Sequence, residues 1–379
     1  MARAIPIVRL PSVQPPLIIG GGPAGAAAAI RVAEAGRPVT LTERHAEPAD
    51  KVCGDFLSAE AMEAVQALGV ELAALRPALI RTIRLVQGYR TAEASLPFAA
   101  IGLSRRALDE ALLSQAVARG ATMLRGHTVQ GLQREGSGFV ADVRGVGEIA
   151  AASVFLATGK HDLRGMRRTA RVRNPIGLKM YFDLAPSAKM ELSGRIDLIL
   201  LRGGYAGLQL IEHGQAVLCL MISADQFNAA GRSWDLLLDA ISQECPHLGV
   251  MMARASPRRD RPLAIAGMPY GYVHRVPGLP GLFRLGDQAC VIPSFTGDGV
   301  AIALHSGVMA ADAWLNGESA SVYQARLARL VAWQMRRALL VQGCLQGPHL
   351  SAMAVPVARS FPGLLRAAAV STRFRGARV

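Results

Sequence analysis

Apolar and polar positions follow two different periods along the chain. A short apolar run that leads into glycines and an alanine-rich segment, as at Leu17–Ile19, predicts a strand, a tight turn and a helix. Alternating tracts predict an antiparallel sheet, and they cover residues 177–182, 196–201, 205–211 and 216–222. Helical spacing predicts helices over residues 58–69, 104–120, 234–245, 300–315 and 323–342.

The order of these patterns predicts two interleaved domains of the α/β class. Strand, turn and helix signals come first, the alternating tracts follow, and near Leu279 the chain returns to an apolar strand and a glycine loop that leads into a helix. A chain of 379 residues is long enough for two domains with sizeable cores. We expect one domain to be assembled from separated segments around an antiparallel-sheet domain.

The first glycine turn has the spacing G-x-G-x-x-G, formed by Gly20, Gly22 and Gly25. In such a turn the first glycine permits the bend, the second lets the backbone approach a pyrophosphate, and the third lets the helix pack on the strand. The helix N-terminus adds N–H donors and a partial positive charge. Glu43 ends the next predicted strand about twenty residues later, where a carboxylate accepts ribose hydroxyls. The sequence therefore predicts a dinucleotide site, which also includes Pro23, Ala24 and Arg44.

The segment that follows Glu43 should lie beside the dinucleotide. Lys51 is placed to meet a phosphate, and Cys53 with Gly54 is placed to approach a redox centre. Cys53 is the candidate catalytic residue, with simple packing of a buried thiol as the alternative.

Three further residues are candidates by their place in predicted elements. Arg105 precedes the first turn of the helix predicted over residues 104–120, so it faces either a ligand or solvent. Thr158 and Gly159 end an apolar strand where a buried parallel strand emerges beside a nucleotide.

A second glycine loop, after residue 285, also connects an apolar strand to the N-terminus of a helix. Gly286 and Asp287 end an apolar strand, and the loop leads into the helix predicted over residues 300–315. Asp287 is placed to accept hydroxyl groups, and the loop brings backbone N–H groups against a ring edge. Its remaining candidate residues are Pro293, Gly297, Asp298 and Gly299.

The net charge of +14 has several interpretations. Nucleic acid is disfavoured, because the basic residues are dispersed, aromatic residues make up 5% of the chain, and no recognition motif is present. A general bias toward arginine explains the charge without a partner. The second interpretation is attraction to an acidic carrier protein or to an anionic membrane surface.

Cysteine spacing and apolar runs bear on the cellular environment. The five cysteines form no C-x-x-C pair and no metal-binding spacing, so neither disulfides nor a metal site is expected. No apolar run approaches the ~20 residues of a membrane helix, and the first sixteen residues do not resemble a secretory signal. We expect a cytoplasmic protein, with peripheral attachment to a membrane as an alternative.

Taken together, these motifs resemble those of the FAD-dependent oxidoreductases that include geranylgeranyl reductases and single-component aromatic hydroxylases, which are flavoprotein monooxygenases. The resemblance covers residues 15–345. The segment Lys51–Ser58 is most similar to the geranylgeranyl reductases, although a tryptophan typical of their substrate domain is replaced by Gly207. A halogenase is disfavoured because the sequence lacks the Trp-x-Trp-x-Ile-Pro motif.

The resemblance implies a role for each motif. The first glycine loop would hold the FAD pyrophosphate, Glu43 the ribose, Asp287 the ribityl chain, and the second glycine loop the pyrimidine edge of the flavin. Arg105 would lie near the flavin, and Cys53 would face it. It implies a Rossmann-like FAD-binding domain in residues 15–75, 103–165 and 276–318, a substrate domain in residues 76–102 and 166–275, and C-terminal helices with a basic tail in residues 319–379.

The expected activity is that of an FAD-dependent oxidoreductase with a lipophilic or aromatic small-molecule substrate. NAD(P)H or another donor would reduce the flavin, and either hydroxylation or reduction of a C=C bond would follow. His161, Lys179 and Tyr205 are candidate acids or bases by position only. The alternative is a non-catalytic FAD-binding protein that senses redox state.

Overall fold

The structure is a computed structural model, and it describes residues 15–168, 175–275, 278–346 and 348–374. In chain order the strands are β1 (Leu17–Ile19), β2 (Thr40–Glu43), β3 (Phe56–Ser58), β4 (Ala78–Gln87), β5 (Arg90–Gly102), β6 (Thr122–Arg125), β7 (Val129–Glu135), β8 (Gly138–Val143), β9 (Gly147–Ala151), β10 (Val154–Leu156), β11 (Pro175–Asp183), β12 (Gly194–Leu201), β13 (Gly204–Leu210), β14 (Ala216–Ser223), β15 (Ser256–Pro257), β16 (Leu263–Ala266) and β17 (Leu282–Arg284).

The helices are α1 (Pro23–Glu34), α2 (Ala59–Ala67), α3 (Arg105–Ala118), α4 (Pro186–Leu192), α5 (Ala224–Ala229), α6 (Trp234–Glu244), α7 (Pro246–Met252), α8 (Gly299–Leu315), α9 (Ala320–Gln346), α10 (Pro348–Ser360) and α11 (Pro362–Ser371).

A five-stranded parallel sheet forms the first layer, in the order β17-β10-β1-β2-β6. Its short strands are apolar throughout because both faces are covered, with α1, α3 and α8 on one side and the small sheet β7-β8-β9 on the other. Helices α1 and α8 approach closely at Gly307, where a Cβ would lie 2.2 Å from the carbonyl oxygen of Ala24. The carboxyl ends of these strands converge at one edge, where ligands bind in sheets of this kind.

A larger curled sheet forms the second layer, in the order β15-β11-β14-β13-β12-β4-β5-β3, with β16 also paired to β11. Its neighbours are antiparallel except β12 and β4, which run parallel. Helices α4, α6 and α7 cover the outer face of its β11–β14 half. The inner face is directed toward the first layer.

The C-terminal helices complete the molecule. Helix α9 follows α8, and α10 and α11 pack on the hairpin β4–β5 through residues such as Val355 and Ala358. This arrangement places the inner faces of α9 and α11 opposite the inner face of the large sheet.

The α/β class with a parallel Rossmann-like sheet and an antiparallel unit is confirmed. The parallel sheet takes its strands from residues 15–75, 103–165 and 276–318, whereas β3, in the first of these segments, pairs with β5 of the large sheet. Ser58 is the N-cap residue of α2, at the predicted start of that helix, and makes no side-chain capping hydrogen bond there. The segment before α3 forms one long hairpin, β4–β5.

Candidate functional site

A cavity of ≈ 290 Å³ lies between the two layers and the C-terminal helices. One wall is the edge of the parallel sheet with α1 and the loop before α8, and the opposite wall is the inner face of the large sheet. Helices α9 and α11 close a third side. A volume near 300 Å³ is at the small end of the range typical of ligand sites.

Gly22, at the N-terminus of α1, is a glycine of the G-x-G-x-x-G turn at which neither packing nor backbone conformation excludes a side chain. A Cβ on Gly20 would lie 2.4 Å from the carbonyl oxygen of Ala157, and one on Gly25 would lie 1.9 Å from that of Gly20, so both are fixed by packing. At Gly22 a Cβ would meet only Arg105 Nη2, at 3.4 Å, and the backbone is extended at φ −75°. The space above Gly22 is therefore a cradle for a ligand, beside the N–H groups of the first turn of α1.

Arg105 carries the positive charge beside this cradle. Its Nε and Nη2 donate to the two carboxylate oxygens of Asp109, at 2.8 and 2.9 Å, and this fork fixes the guanidinium at the cavity wall. Burial alone would lower the pKa of Arg105, but the Asp109 carboxylate raises it above its usual value. A fixed, permanently charged guanidinium next to free N–H groups suits a pyrophosphate.

Glu43 lies at the far end of the cradle and is buried. Its Oε2 accepts from Gly21 N–H at 2.9 Å, and its Oε1 accepts from His45 N–H at 3.0 Å. Lys51 Nζ lies 3.7 Å from Glu43 and 3.1 Å from Asp109 Oδ2. Glu43 is thus held in place by backbone N–H groups, and Lys51 joins it to the arginine fork.

The ends of β10 and β17 meet at a second polar corner of the cavity. Arg168 donates from Nη1 to the Asp287 carbonyl at 2.7 Å and from Nε to Asp162 at 2.6 Å. Gln288 donates to the Gly159 carbonyl at 2.9 Å. These bonds tie the segment after β10 to the loop after β17, and both loops line the cavity.

The loop before α8 is fastened to the C-terminal segment. Asp298 Oδ2 accepts from Gln334 Nε2 at 2.6 Å and from Phe374 N–H at 2.7 Å, and its Oδ1 lies 2.7 Å from Arg373 Nη1. Arg373 also donates to the Thr296 carbonyl. Burial raises the pKa of Asp298 to about 7, although Arg373 opposes this shift.

The predicted site residues fall into two groups. Those at the cavity wall are Gly22, Pro23, Ala24, Cys53, Gly54, Arg105, Gly159, Gly286, Asp287, Gly297 and Gly299. Outside it are Gly20, Gly25, Glu43, Arg44, Lys51, Thr158, Pro293 and Asp298, of which Asp298 is directed to the C-terminal segment and Arg44 to His161 Nε2 at 2.9 Å.

The large sheet and the C-terminal helices make the rest of the wall apolar. Gly207 lies in this wall on β13, and a Cβ built on it meets nothing within 4 Å, so the missing side chain leaves room in the cavity. The apolar lining residues here include Ile83, Leu85, Leu96, Phe98, Ile196 and Leu198. Such a wall suits a lipophilic ligand.

Tyr205 supplies a buried hydroxyl in this apolar region. Its ring packs edge-on against Phe295 at 6.1 Å between centroids, and its Oη, which faces Ser294 and the Phe295 backbone, makes no hydrogen bond of normal geometry with the described residues. Burial raises the pKa of Tyr205 well above its usual value, so the hydroxyl stays protonated at neutral pH. A buried, unpartnered donor at a cavity wall is suited to a polar atom of a ligand.

The other two candidate acids or bases lie away from the cavity. Lys179 forms a fully buried ion pair with Asp55 at 2.6 Å, and Tyr181 donates to Asp55 at 2.9 Å. His161 lies in the loop after β10, where burial lowers its pKa. Lys179 is therefore part of a structural network beneath the segment that carries Cys53.

The sequence missed several lining residues. Cys219 on β14 lines the same cavity as Cys53, and burial raises the pKa of its thiol to about 12. Val341 and Leu365 come from helices, and Arg373 from the segment after α11, for which no chemistry was expected. Only the alternation of the β14 tract, which places every second residue on one face, could have indicated Cys219.

Comparison with known proteins identifies the first part of the chain. Residues 14–154 match the FAD binding domain family. The menaquinone reductase of Mycolicibacterium smegmatis is 26% identical over 328 residues, which are 79% of this chain and 76% of that protein.

Solved structures show the same fold over nearly the whole chain. A flavoprotein/dehydrogenase from Cytophaga hutchinsonii matches with a TM-score of 0.77 at 18% identity, over 94% of this chain and 92% of that one. A geranylgeranyl bacteriochlorophyll reductase-like protein from Thermoplasma acidophilum matches with a TM-score of 0.74 at 18% identity, over 95% and 99%. A flavin-dependent brominase matches with a TM-score of 0.76 at 17% identity, over 96% and 95%.

The fold, the cradle above Gly22 and the similar proteins agree with the resemblance to FAD-dependent oxidoreductases that the sequence motifs indicated. The chain carries an FAD binding domain within a fold shared with FAD-dependent flavoproteins, and the protein is an FAD-dependent oxidoreductase.

Proposed function

We propose that the protein reduces a C=C bond of a lipophilic small molecule, with FAD as the hydride donor. The observation that carries this proposal is a cavity that joins the Gly22 cradle to an apolar wall, at which the buried hydroxyl of Tyr205 lies. The similarity to a protein named menaquinone reductase supports a substrate of this polarity.

The residues present fit FAD. The cradle above Gly22 and the Arg105 fork would hold the pyrophosphate, and Glu43 would accept the ribose hydroxyls. Asp287 would accept from the ribityl chain, and the loop that contains Gly297 and Gly299 would lie against the flavin ring. When bound and reduced, FAD supplies a hydride.

Tyr205 would supply the proton. Reduction of a C=C bond adds a hydride to one carbon and a proton to the other, and an activated C=C bond needs a donor that is protonated at neutral pH. A tyrosine hydroxyl is in that form at neutral pH in any case, and burial, which raises the pKa of Tyr205 further, means that it would give up its proton only where negative charge develops on the substrate beside it. The apolar wall would orient the substrate and exclude water. The phenolate left behind would regain its proton from solvent during product exchange.

Two other reactions, hydroxylation and halogenation, are compatible with the same fold. Hydroxylation would consume O₂ at the reduced flavin, and halogenation would require a halide in addition. The fold is common to reductases and halogenases, so fold similarity does not choose among the three. The Tyr205 donor and the relative named as a reductase favour reduction.

The test is an anaerobic reconstitution with FAD. NADPH or NADH is added, bleaching of the flavin absorbance is followed, and a short-chain prenylated quinone or a lipophilic alkene is then supplied. We expect flavin reoxidation without O₂ and a product that still carries two added hydrogens by mass spectrometry after mild oxidation has returned any quinol to the quinone. Parallel aerobic reactions with and without bromide look for added oxygen or bromine.

The outcomes separate the alternatives. An oxygen-dependent product that has gained oxygen would refute reduction in favour of hydroxylation, and a brominated product would identify a halogenase. If neither nicotinamide bleaches the flavin but dithionite followed by the alkene gives the reduced product, the reductase proposal stands and NAD(P)H is not the donor.

A further inference from the structure

The C-terminal segment of this protein is basic and lacks acidic residues. Residues 319–379 contain nine arginines and neither aspartate nor glutamate, and the whole chain has a net charge of +14. The basic residues as a whole remain dispersed, since most of the 42 lysines and arginines precede this segment, and what sets the segment apart is its lack of carboxylates. The exposed arginines within α9–α11 include Arg329, Arg336, Arg359 and Arg366.

The same helices expose large apolar side chains to solvent. On α9, Trp333 is 59% exposed and Leu340 is 70% exposed, and Arg336 lies between them at helical spacing on the same face. The Arg337 guanidinium lies 4.5 Å from the centre of the Trp333 ring. The α10–α11 part adds Met353, Phe361 and Leu364, which are 57%, 63% and 55% exposed. Isolated exposed apolar residues are ordinary, but large apolar side chains exposed on three successive helices beside arginines make these helices a candidate interaction surface.

These helices also form a wall of the candidate active-site cavity. Val341 and Leu345 of α9, with Leu365 and Ala368 of α11, line the cavity. The face described above and the cavity are thus two sides of the same helices.

We propose that the outer face of α9–α11 docks on an anionic membrane surface. Apolar side chains, an interfacial tryptophan and arginines without intervening carboxylates are what the boundary between lipid headgroups and acyl chains attracts. An acidic protein partner would match the charge, but it would not require this many exposed aliphatic side chains. Docking in this orientation sets the cavity next to the bilayer, where a lipophilic substrate dissolves.

The test uses the full-length protein loaded with FAD and no substrate, so its result is independent of the reductase assay. Co-sedimentation is measured with phosphatidylcholine vesicles and with vesicles that also contain phosphatidylglycerol. We expect binding to the anionic vesicles that weakens with added salt. Brominated acyl chains should quench tryptophan fluorescence in the wild type, and this quenching should be lost in Trp333→Phe.

Two matched sets of variants distinguish binding through the outer face of α9–α11 from attraction by the net charge of the whole protein. Changing the four exposed arginines to glutamine, R329Q, R336Q, R359Q and R366Q, should weaken vesicle binding by about fivefold per arginine near the surface. The control removes the same charge elsewhere, with R106Q, R202Q, R254Q and R261Q, and should retain most of the binding. A second pair compares vesicle binding of Leu340→Ser with that of Met190→Ser, which changes an apolar residue exposed elsewhere. Only Leu340→Ser should weaken binding.

Retention of FAD shows that each variant is folded. Absence of binding to anionic vesicles would overturn the proposal, as would equal losses in the C-terminal and control variants. Binding to an immobilised acyl carrier protein in place of vesicles would overturn it in favour of an acidic protein partner.

Discussion

The space above Gly22 allows a substitution that should separate cofactor binding from folding. In Gly22→Ala the added methyl would meet only Arg105 Nη2, at 3.4 Å, and the extended backbone accepts alanine without strain. The gain from a stiffer unfolded chain, about 0.4–1 kcal/mol, opposes the loss of a glycine at the N-cap of α1, about 1 kcal/mol. The free energy of unfolding of the apoprotein should therefore change by less than about 1 kcal/mol.

The effect on FAD should be much larger. The methyl would occupy the cradle and hold the pyrophosphate away from the N–H groups of the first turn of α1. Each hydrogen bond to a charged group contributes about 1.5–3 kcal/mol, so the loss of two should weaken FAD binding by about 10²- to 10⁴-fold, since 1.4 kcal/mol corresponds to tenfold. Quenching of flavin fluorescence on titration into apoprotein measures the affinity, and urea unfolding measures the stability.

Two other glycines serve as controls. Gly131 lies on β7, where a Cβ meets nothing within 4 Å, so Gly131→Ala should change neither the FAD affinity nor the free energy of unfolding. Gly25→Ala would place its methyl 1.9 Å from a backbone carbonyl and should destabilise the apoprotein itself. Wild-type FAD affinity in a folded Gly22→Ala protein would refute the placement of the pyrophosphate.

Three further predictions concern the cavity wall and the loop before α8. Tyr205→Phe should retain FAD and lower the rate of substrate reduction by about 10²- to 10⁴-fold, the usual contribution of a general acid, measured by stopped-flow flavin reoxidation. Gly207→Leu should fill the space left on β13, so KM should rise for bulky substrates more than for small ones in steady-state kinetics, with FAD retained. Asp298 has a folded-state pKa of about 7 against 3.8, so it contributes stability that is fully present below about pH 4 and lost as the pH rises through 7. The total loss in the free energy of unfolding over this range, at most about 4 kcal/mol, should be absent from urea unfolding of Asp298→Asn.

Each of these predictions can fail. Tyr89→Phe, at an exposed tyrosine, controls for the loss of a hydroxyl, and equal rates in Tyr205→Phe and wild type would remove Tyr205 from proton transfer. A uniform rise in KM in Gly207→Leu would indicate a distorted sheet rather than a filled cavity. An unchanged pH slope in Asp298→Asn would assign the pH dependence to other groups.

Cys53 remains a candidate with a direct test. It lines the cavity beside Gly54, so Cys53→Ala should leave FAD bound and change turnover. Turnover equal to that of the wild type would assign Cys53 to packing alone.

The sequence predicted those parts of the site that depend on local chain geometry. The glycine loops, the strand ends at Gly159 and Asp287, and the capping of α3 by Ser104 each follow from a few neighbouring residues, and Ser104 Oγ accepts from Ala107 N–H at 3.1 Å. The pairing of β4 with β12 and the docking of α11 on β5 depend on contacts between distant segments, for which periodicity carries no signal.

The difference between local geometry and distant contacts also explains why the sequence could not rank the candidate acids and bases. Tyr205, Lys179 and His161 were equivalent by position, and only burial, hydrogen bonding and the cavity separated them. Arg373 could not have been found, because its role depends on how α11 returns to the loop that contains Asp298.

The strand order of the parallel sheet has a consequence for how the protein folds. Strand β10 pairs with β1, far back in the sequence, and with the edge strand β17, far ahead of it. Contacts between residues so distant along the chain close slowly, because the entropy of the intervening loops is lost before the contacts are gained. The α1 turn can form locally, but the sheet beneath it gains its last strand only after the large sheet has been synthesised. Residues 15–168 in isolation would leave an open edge at β10, which is a site for aggregation rather than for a stable nucleotide-binding half.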